Sequence, residues 1–277
     1  MTGTLAQVKN SGQTLFRTLD TEMTRFFPPV KNLLPAEHGS WFMLGFPLVL
    51  GLLLYPSWVA LCLGLAALAG FLARPTLRRV INGQRDQAQL RALLMFGGLA
   101  AGFTSVALLL SGPRFLIPLA CVAPLLLFAL WADARRAVRS LTVEIAAQGA
   151  FAGLAATMLV ASGGTLTEAA RAWLFVTLVG AANLAHVRRF LGQAHGMEAS
   201  ELRRRMLPVH LLHVLLLLTS ALLLAGRGPA GALWTGWTAL LYLRALLPPR
   251  PTPARTLGWR EGGLSVIGLL LLWRALL

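Results

Sequence analysis

The chain has 277 residues, of which 56% are hydrophobic and only 13% are charged, and its net charge is +15. Soluble domains carry about 25% charged residues, so this composition excludes an ordinary water-soluble fold. A basic excess also occurs in nucleic-acid-binding proteins. Here the bases lie in short segments between long apolar runs, which excludes nucleic acid as a partner and indicates a lipid bilayer.

The N-terminal segment lacks an apolar core, so no signal peptide is predicted. Residues 12–27 place apolar side chains at helical spacing among charged ones and are followed by Pro28. This pattern predicts a short amphipathic helix on the membrane surface, with a disordered tail as the alternative. We therefore assign residues 1–34 to a cytoplasmic extension and residues 35–277 to one transmembrane domain.

Long apolar runs fill that domain, and they predict an all-α, polytopic membrane protein with about nine transmembrane helices. Gly and Pro interrupt many of the runs, as membrane helices permit. The predicted spans are residues 39–55, 57–74, 90–111, 113–131, 142–161, 169–187, 207–225, 229–247 and 261–277.

The basic residues give the orientation. With the N-terminus in the cytoplasm, 21 of the 25 Lys and Arg residues fall in cytoplasmic segments and four in outer segments. This asymmetry follows the positive-inside rule, and one missed helix in the middle would destroy it. We predict a multi-pass protein of the cytoplasmic (inner) membrane.

Polar residues gather at the cytoplasmic ends of the predicted spans, where a charged side chain needs a reason to lie near lipid. This convergence predicts a cytoplasm-facing polar cavity, because a channel would also carry polar groups at mid-depth and beyond. The candidate ligand-binding residues are Glu37, His38 and Trp41 at the first span, Arg78 and Arg79 after the second, Glu144 and Gln148 at the fifth, Asn183, His186, Arg188 and Arg189 at the sixth, and Arg260 and Glu261 at the ninth.

Each group also has a purely structural interpretation. Glu144 could pair with the basic loop that contains Arg135, Arg136 and Arg139. Asn183 and His186 could be hydrogen-bonding contacts between helices. Arg188 and Arg189 could determine topology, and His38 with Trp41 could anchor the helix at the interface.

The usual catalytic and metal-binding motifs are absent from the sequence. It has no Walker-type loop, no HExxH and no GxSxG. His210 and His213 have metal-pair spacing but no acidic or thiolate residue near them in the sequence. The Asp residues are too few for magnesium-diphosphate chemistry in its usual form. We predict neither a metal nor a cofactor, and the catalytic residues stay unassigned.

Four segments together resemble the bacterial YwiC-like membrane protein family over about residues 35–277. They are "PAEHGSW" running into "GFPLVLGLLL", then "LTVEIAAQGAFAGLA", "ANLAHVRRF" and "TPARTLGWRE", in this order. The resemblance implies a membrane protein but no particular activity.

A more distant similarity is to the UbiA-type intramembrane prenyltransferases. It implies a UbiA-like nine-helix bundle with a central cavity open to the cytoplasm. The two Asp-rich motifs of that superfamily would fall near residues 74–85 and 183–195. Arginines occupy the first place, and His186, Arg188 and Arg189 occupy the second.

Three functional hypotheses follow. The first is a protein that binds an amphipathic, isoprenoid or quinone-like lipid, whose anionic head would meet Arg78, Arg79, Arg188 and Arg189 directly, since Arg grips phosphate without a metal. The second is an active membrane transferase with Glu37 or Glu144 as base and His38 or His186 as its partner. The third is a transporter or an accessory subunit of a membrane complex with unknown protein partners.

Overall fold

The structure is a computed structural model that describes residues 38–84, 86–135, 140–224, 226–247 and 253–277. These residues form nine α-helices and one 3₁₀ turn, with no strand among them. The helices are α1 (His38–Leu54), α2 (Trp58–Ile81), α3 (Gln87–Ser111), α4 (Leu116–Ala134), α5 (Leu141–Ala161), α6 (Leu166–Ala194), α7 (Ala199–Leu223), α8 (Gly228–Leu246) and α9 (Ala254–Leu276).

Each of the nine predicted spans coincides with one of these helices. Within the described residues, six helices are long and apolar enough to cross a bilayer, namely α2 to α7, with α4 counted from Pro113. Helix α1 is apolar but has only 17 residues. The all-α, polytopic membrane class is thus confirmed. The predicted amphipathic helix at residues 12–27 lies outside the described residues.

Several helices are longer than the apolar runs from which they were predicted. Helix α2 passes through Pro75 and ends at Ile81, so Arg78 and Arg79 lie in its last turn rather than in a loop. Cations favour this position because the carbonyl end of a helix carries partial negative charge. Helix α9 begins at Ala254, so Arg260 and Glu261 lie in its second turn.

The chain divides into two compact units. In the described part of the chain, the smaller unit comprises residues 66–102, the end of α2 and the beginning of α3. A tight turn joins the two helices, with Gly83 at a φ of 87° that suits glycine. Asp86 then caps α3 by accepting a 2.7 Å hydrogen bond from the backbone nitrogen of Gln89, which supplies a partner for a free N–H group.

The larger unit comprises the described residues between 38 and 65 and between 103 and 277. Its helices contact one another in a closed order, α5–α6–α7–α8–α9–α1 and back to α5, while α4 packs against α5. Helix α5 is the most buried span, and small residues line it. This is the composition expected where membrane helices approach closely.

Tryptophan indoles tie this bundle together. Trp173 on α6 donates to the carbonyl of Gly149 on α5 at 2.9 Å, and Trp273 on α9 donates to that of Leu53 on α1 at 3.0 Å. Trp234 on α8 is fully buried and donates to Ser220 Oγ on α7 at 2.9 Å. Each bond satisfies an N–H group that is costly to bury alone.

Candidate functional site

Helices α8 and α9 bring a charged pair together inside the larger unit. Arg244 lies two residues before the end of α8, and its Nη2 donates to Glu261 Oε1 on α9. The side chains are only 17% and 9% exposed, respectively. A short connection joins the two helices, so residues near the end of the first and the beginning of the second lie at the same end of the bundle. Burying such a pair is tolerable because each charge offsets the other.

His186 on α6 completes this cluster. Its Nε2 lies 3.0 Å from Arg244 Nη2. A guanidinium can only donate, so Nε2 accepts and the ring carries its proton on Nδ1. Nδ1 is buried and has no hydrogen-bond partner among the described residues. The side chain therefore holds a buried donor that needs an acceptor.

Two other histidines, His213 and His195, satisfy the same atom locally. His213 Nδ1 donates to the carbonyl of Val209 at 2.8 Å, and His195 Nδ1 donates to that of Leu191 at 2.6 Å. Both acceptors lie four residues earlier in the same helix. His186 makes no such bond, because its ring is held through the opposite nitrogen by Arg244. The free donor is thus a consequence of the α6–α8 contact.

A small cavity of about 30 Å³ lies beside this cluster. Its volume suffices for a water molecule or two, since one water needs roughly 10–15 Å³ by this measure. Most of the polar lining residues lie near the end of the helices that holds Arg244, and most of the apolar ones lie one or two helical turns further along. The lining residues come from α6, α7, α8 and α9, and they include Asn183, His186, His213, Arg244 and Glu261 on the polar side and Val179, Leu216, Trp237 and Leu264 on the apolar side.

A row of polar rings from α7 and α8 begins at this cavity. The His213 ring lies 6.5 Å from that of His186 and stacks on Tyr242 of α8 at 5.9 Å between centroids. Tyr242 Oη in turn lies 3.1 Å from His210 Nδ1. His210 and His213 lie one turn apart on α7, within the first two turns of the predicted seventh span, residues 207–225, and so near its predicted cytoplasmic end.

Arg188 and Arg189 lie at the same end but outside the cavity lining. Arg188 Nη1 donates to Glu144 Oε1 on α5 at 2.8 Å, and both side chains are about one quarter exposed. Arg189 Nη1 donates to the carbonyl of Ala245 at 2.7 Å and so ties α6 to α8. Glu144 therefore pairs with an arginine of the neighbouring helix. Of the three loop arginines considered as its partners, Arg136 and Arg139 lie outside the described residues.

The remaining predicted residues are dispersed. Gln148 is buried and donates from Nε2 to the carbonyl of Val176 at 3.1 Å, which makes it a contact between α5 and α6. Trp41 is partly exposed. Arg78 and Arg79 belong to the smaller unit. Arg260 is exposed on α9, next to the buried Glu261. Glu37 and the side chain of His38 lie outside the described residues.

Sequence reasoning did not include Arg244, His213 or Trp237 among the candidate ligand-binding residues, and it weighed His213 only as half of a metal pair with His210. Arg244 counted only as a topology determinant, although an Arg in the last turn of one helix lies near the start of the next when their connection is short. That signal could have paired it with Glu261. In the described part of the chain, no group of three or more His, Cys, Asp and Glu side chains has a metal-binding arrangement.

A comparison with known protein families finds a match for part of the chain. Residues 34–160 match the YwiC-like protein family. The predicted resemblance is thus confirmed for this stretch, which holds α1 to α4 and nearly all of α5. The cavity is built by α6 to α9, which follow the YwiC-like stretch. No curated protein and no solved structure matches the chain.

Proposed function

We propose that this YwiC-like membrane protein binds an amphipathic lipid, isoprenoid or quinone-like, in the cavity between α6, α7, α8 and α9. The cavity would open to the cytoplasm of a bacterial inner membrane, in a UbiA-like bundle. One observation carries the proposal, namely that the lining is polar on one side, with His186, Arg244 and Glu261, and apolar on the other. A lipid with a polar head and an apolar body has this division of chemistry.

Because the cavity is small, the site would have to open when a lipid binds. About 30 Å³ does not accommodate a lipid, whereas ligand pockets measure several hundred Å³. Binding would therefore require apolar side chains of the lining, such as Leu216, Trp237 and Leu264, to move, while the Arg244–Glu261 pair that joins α8 and α9 stays in place. The tail would then extend between apolar helix faces toward the bilayer, where burial contributes about 0.8 kcal/mol per CH₂ group.

The head would meet different residues from those expected first. Arg188 is paired with Glu144, and Arg189 bonds a backbone carbonyl. Neither belongs to the cavity lining, whereas Arg244 and His186 do. The lipid-binding hypothesis therefore places the head at Arg244 and His186.

Mass spectrometry of lipids that co-purify with the full chain tests the proposal. Leu264→Trp would fill the cavity from α9, and Ile267→Trp is the matched control, since Ile267 is 47% exposed on the same helix. We expect one lipid class to be enriched with the wild type and the control and lost with Leu264→Trp. Equal lipid content in all three proteins would contradict the proposal.

A second candidate function is transport of protons or of a proton-coupled solute. The row of polar rings formed by His186, His213, Tyr242 and His210 favours it. Ionisable side chains inside a bundle are typical of proton pathways. Acidification of vesicles that contain the protein, compared with His213→Phe, would test it. The transferase hypothesis stays a prediction, and Glu144, one of its proposed bases, is engaged with Arg188.

A further inference from the structure

We propose that the cavity selects an uncharged head group with a hydrogen-bond-accepting carbonyl, and that His186 Nδ1–H donates to this carbonyl. This inference rests on the proposed lipid-binding function and names the chemical class of the ligand. It disfavours a diphosphate or another strongly anionic head at the same place.

The charge of the lining is the first argument. Among the described residues that line the cavity, one is an arginine and one is a carboxylate, and they are paired with each other. Their formal charges cancel, and the geometry requires His186 to be neutral on Nε2 when it accepts from Arg244. An anionic head would bring new charge beside the Glu261 carboxylate in a poorly solvated place, where the arginine of the described lining is already paired.

The free donor is the second argument. Nδ1 of His186 is a buried side-chain donor that has no partner in the described part of the chain, and the residue is only 7% exposed. A buried N–H group without an acceptor destabilises a protein, while a ligand carbonyl at this point would satisfy it. A neutral acceptor is the simplest group that completes the site without disturbing the Arg244–Glu261 pair.

The apolar side of the lining agrees with this class. Trp237 lies in the lining with Leu216, Leu241 and Leu264. A flat conjugated carbonyl compound can stack on an indole, and such stacking contributes free energy beyond that of the buried area alone. An apolar tail attached to such a ring would continue along the leucine side chains.

Two substitutions at one position separate the donor from the rest of the ring. The amide nitrogen of Asn can occupy the place of His Nδ1, so His186→Asn keeps a donor there. Gln reaches the place of Nε2, so His186→Gln can still accept from Arg244 but leaves nothing at Nδ1. His195→Gln is the matched control, since this exposed histidine at the end of α6 is outside the lining.

Binding of decylubiquinone and of geranyl diphosphate to the full chain in lipid nanodiscs, with and without magnesium, tests the inference. We expect decylubiquinone to bind the wild type, His186→Asn and His195→Gln with similar affinity, and His186→Gln about tenfold more weakly, as for one lost buried hydrogen bond. A thermal melt of each variant identifies loss of fold, and the Asn variant keeps the test decisive if the Gln variant does not fold.

Other outcomes separate the two proposals. If geranyl diphosphate binds more tightly than decylubiquinone and both variants at position 186 bind it normally, the lipid site stands but the carbonyl assignment is overturned. If neither compound binds, the proposed function fails with it. Equal decylubiquinone binding by all four proteins would indicate partition into the bilayer, which also overturns the inference.

Discussion

Arg244 Nη2 donates simultaneously to Glu261 Oε1 and His186 Nε2, and this one nitrogen connects α6, α8 and α9. The arrangement commits the guanidinium to two acceptors on neighbouring helices. It also fixes the tautomer of His186, and with it the position of the free donor in the cavity. The position of Arg244 therefore determines the packing at this end of the larger unit and, in the proposed binding site, the donor that a ligand would meet.

Removing Arg244 should destabilise the protein more than removing the pair. Arg244→Leu leaves the buried Glu261 carboxylate without its cation, which costs about 3–5 kcal/mol. The double variant Arg244→Leu/Glu261→Leu should recover most of that loss, since no charge then stays buried. Unfolding of Arg244→Leu, Glu261→Leu and the double variant in mixed detergent measures the coupling. Additive losses would contradict the buried-pair assignment.

The Glu144–Arg188 pair should contribute far less. Its side chains are 28% and 27% exposed, and partly solvated pairs stabilise by about 0–1 kcal/mol. We therefore expect Glu144→Gln to change the free energy of unfolding by less than about 1 kcal/mol, and less again at high salt. A loss as large as that of Arg244→Leu would show that this pair is not screened as its exposure indicates.

The helices and the class of protein were predictable because apolar runs need no partner information. All nine spans were located, since the bilayer imposes one length and one composition on each. Their ends were less predictable: α2 and α9 continue into polar sequence, where hydropathy gives no signal but helical hydrogen bonding continues. Pro75 marked an expected break that the helix passes through.

The site was only partly predictable, for a related reason. Asn183, His186 and Glu261 were predicted as candidate residues because they are polar and near the ends of apolar spans, and all three line the cavity. Which partner each residue takes depends on helix neighbours, and a single sequence does not give these. Arg244 was therefore interpreted as an ordinary base near a loop, and Trp237 as an ordinary apolar residue. Arg188 was predicted to bind a ligand, whereas it pairs with Glu144.

Close packing of α4 on α5 should depend on Gly153. A β-carbon at this position would lie 2.6 Å from Val122 Cγ2, and the β-branched valine has little rotamer freedom in a helix. Gly153→Ala should therefore cost about 1–3 kcal/mol. Gly45→Ala on α1 is the control, because nothing lies within 4 Å of a β-carbon there. Equal melting temperatures for both variants would contradict this packing.

The orientation can be tested at two ends of one helix. Ser200 lies in the first turn of α7 and Gly226 follows its end, so the predicted topology places the first in the cytoplasm and the second outside. Single cysteines at these positions are informative once Cys62 and Cys121 are replaced by alanine. An impermeant maleimide applied to intact cells should label Gly226→Cys at once and Ser200→Cys only after permeabilisation. The reverse pattern would invert the protein in the membrane, and the cavity at the end that holds Arg244 would then open to the outside rather than to the cytoplasm.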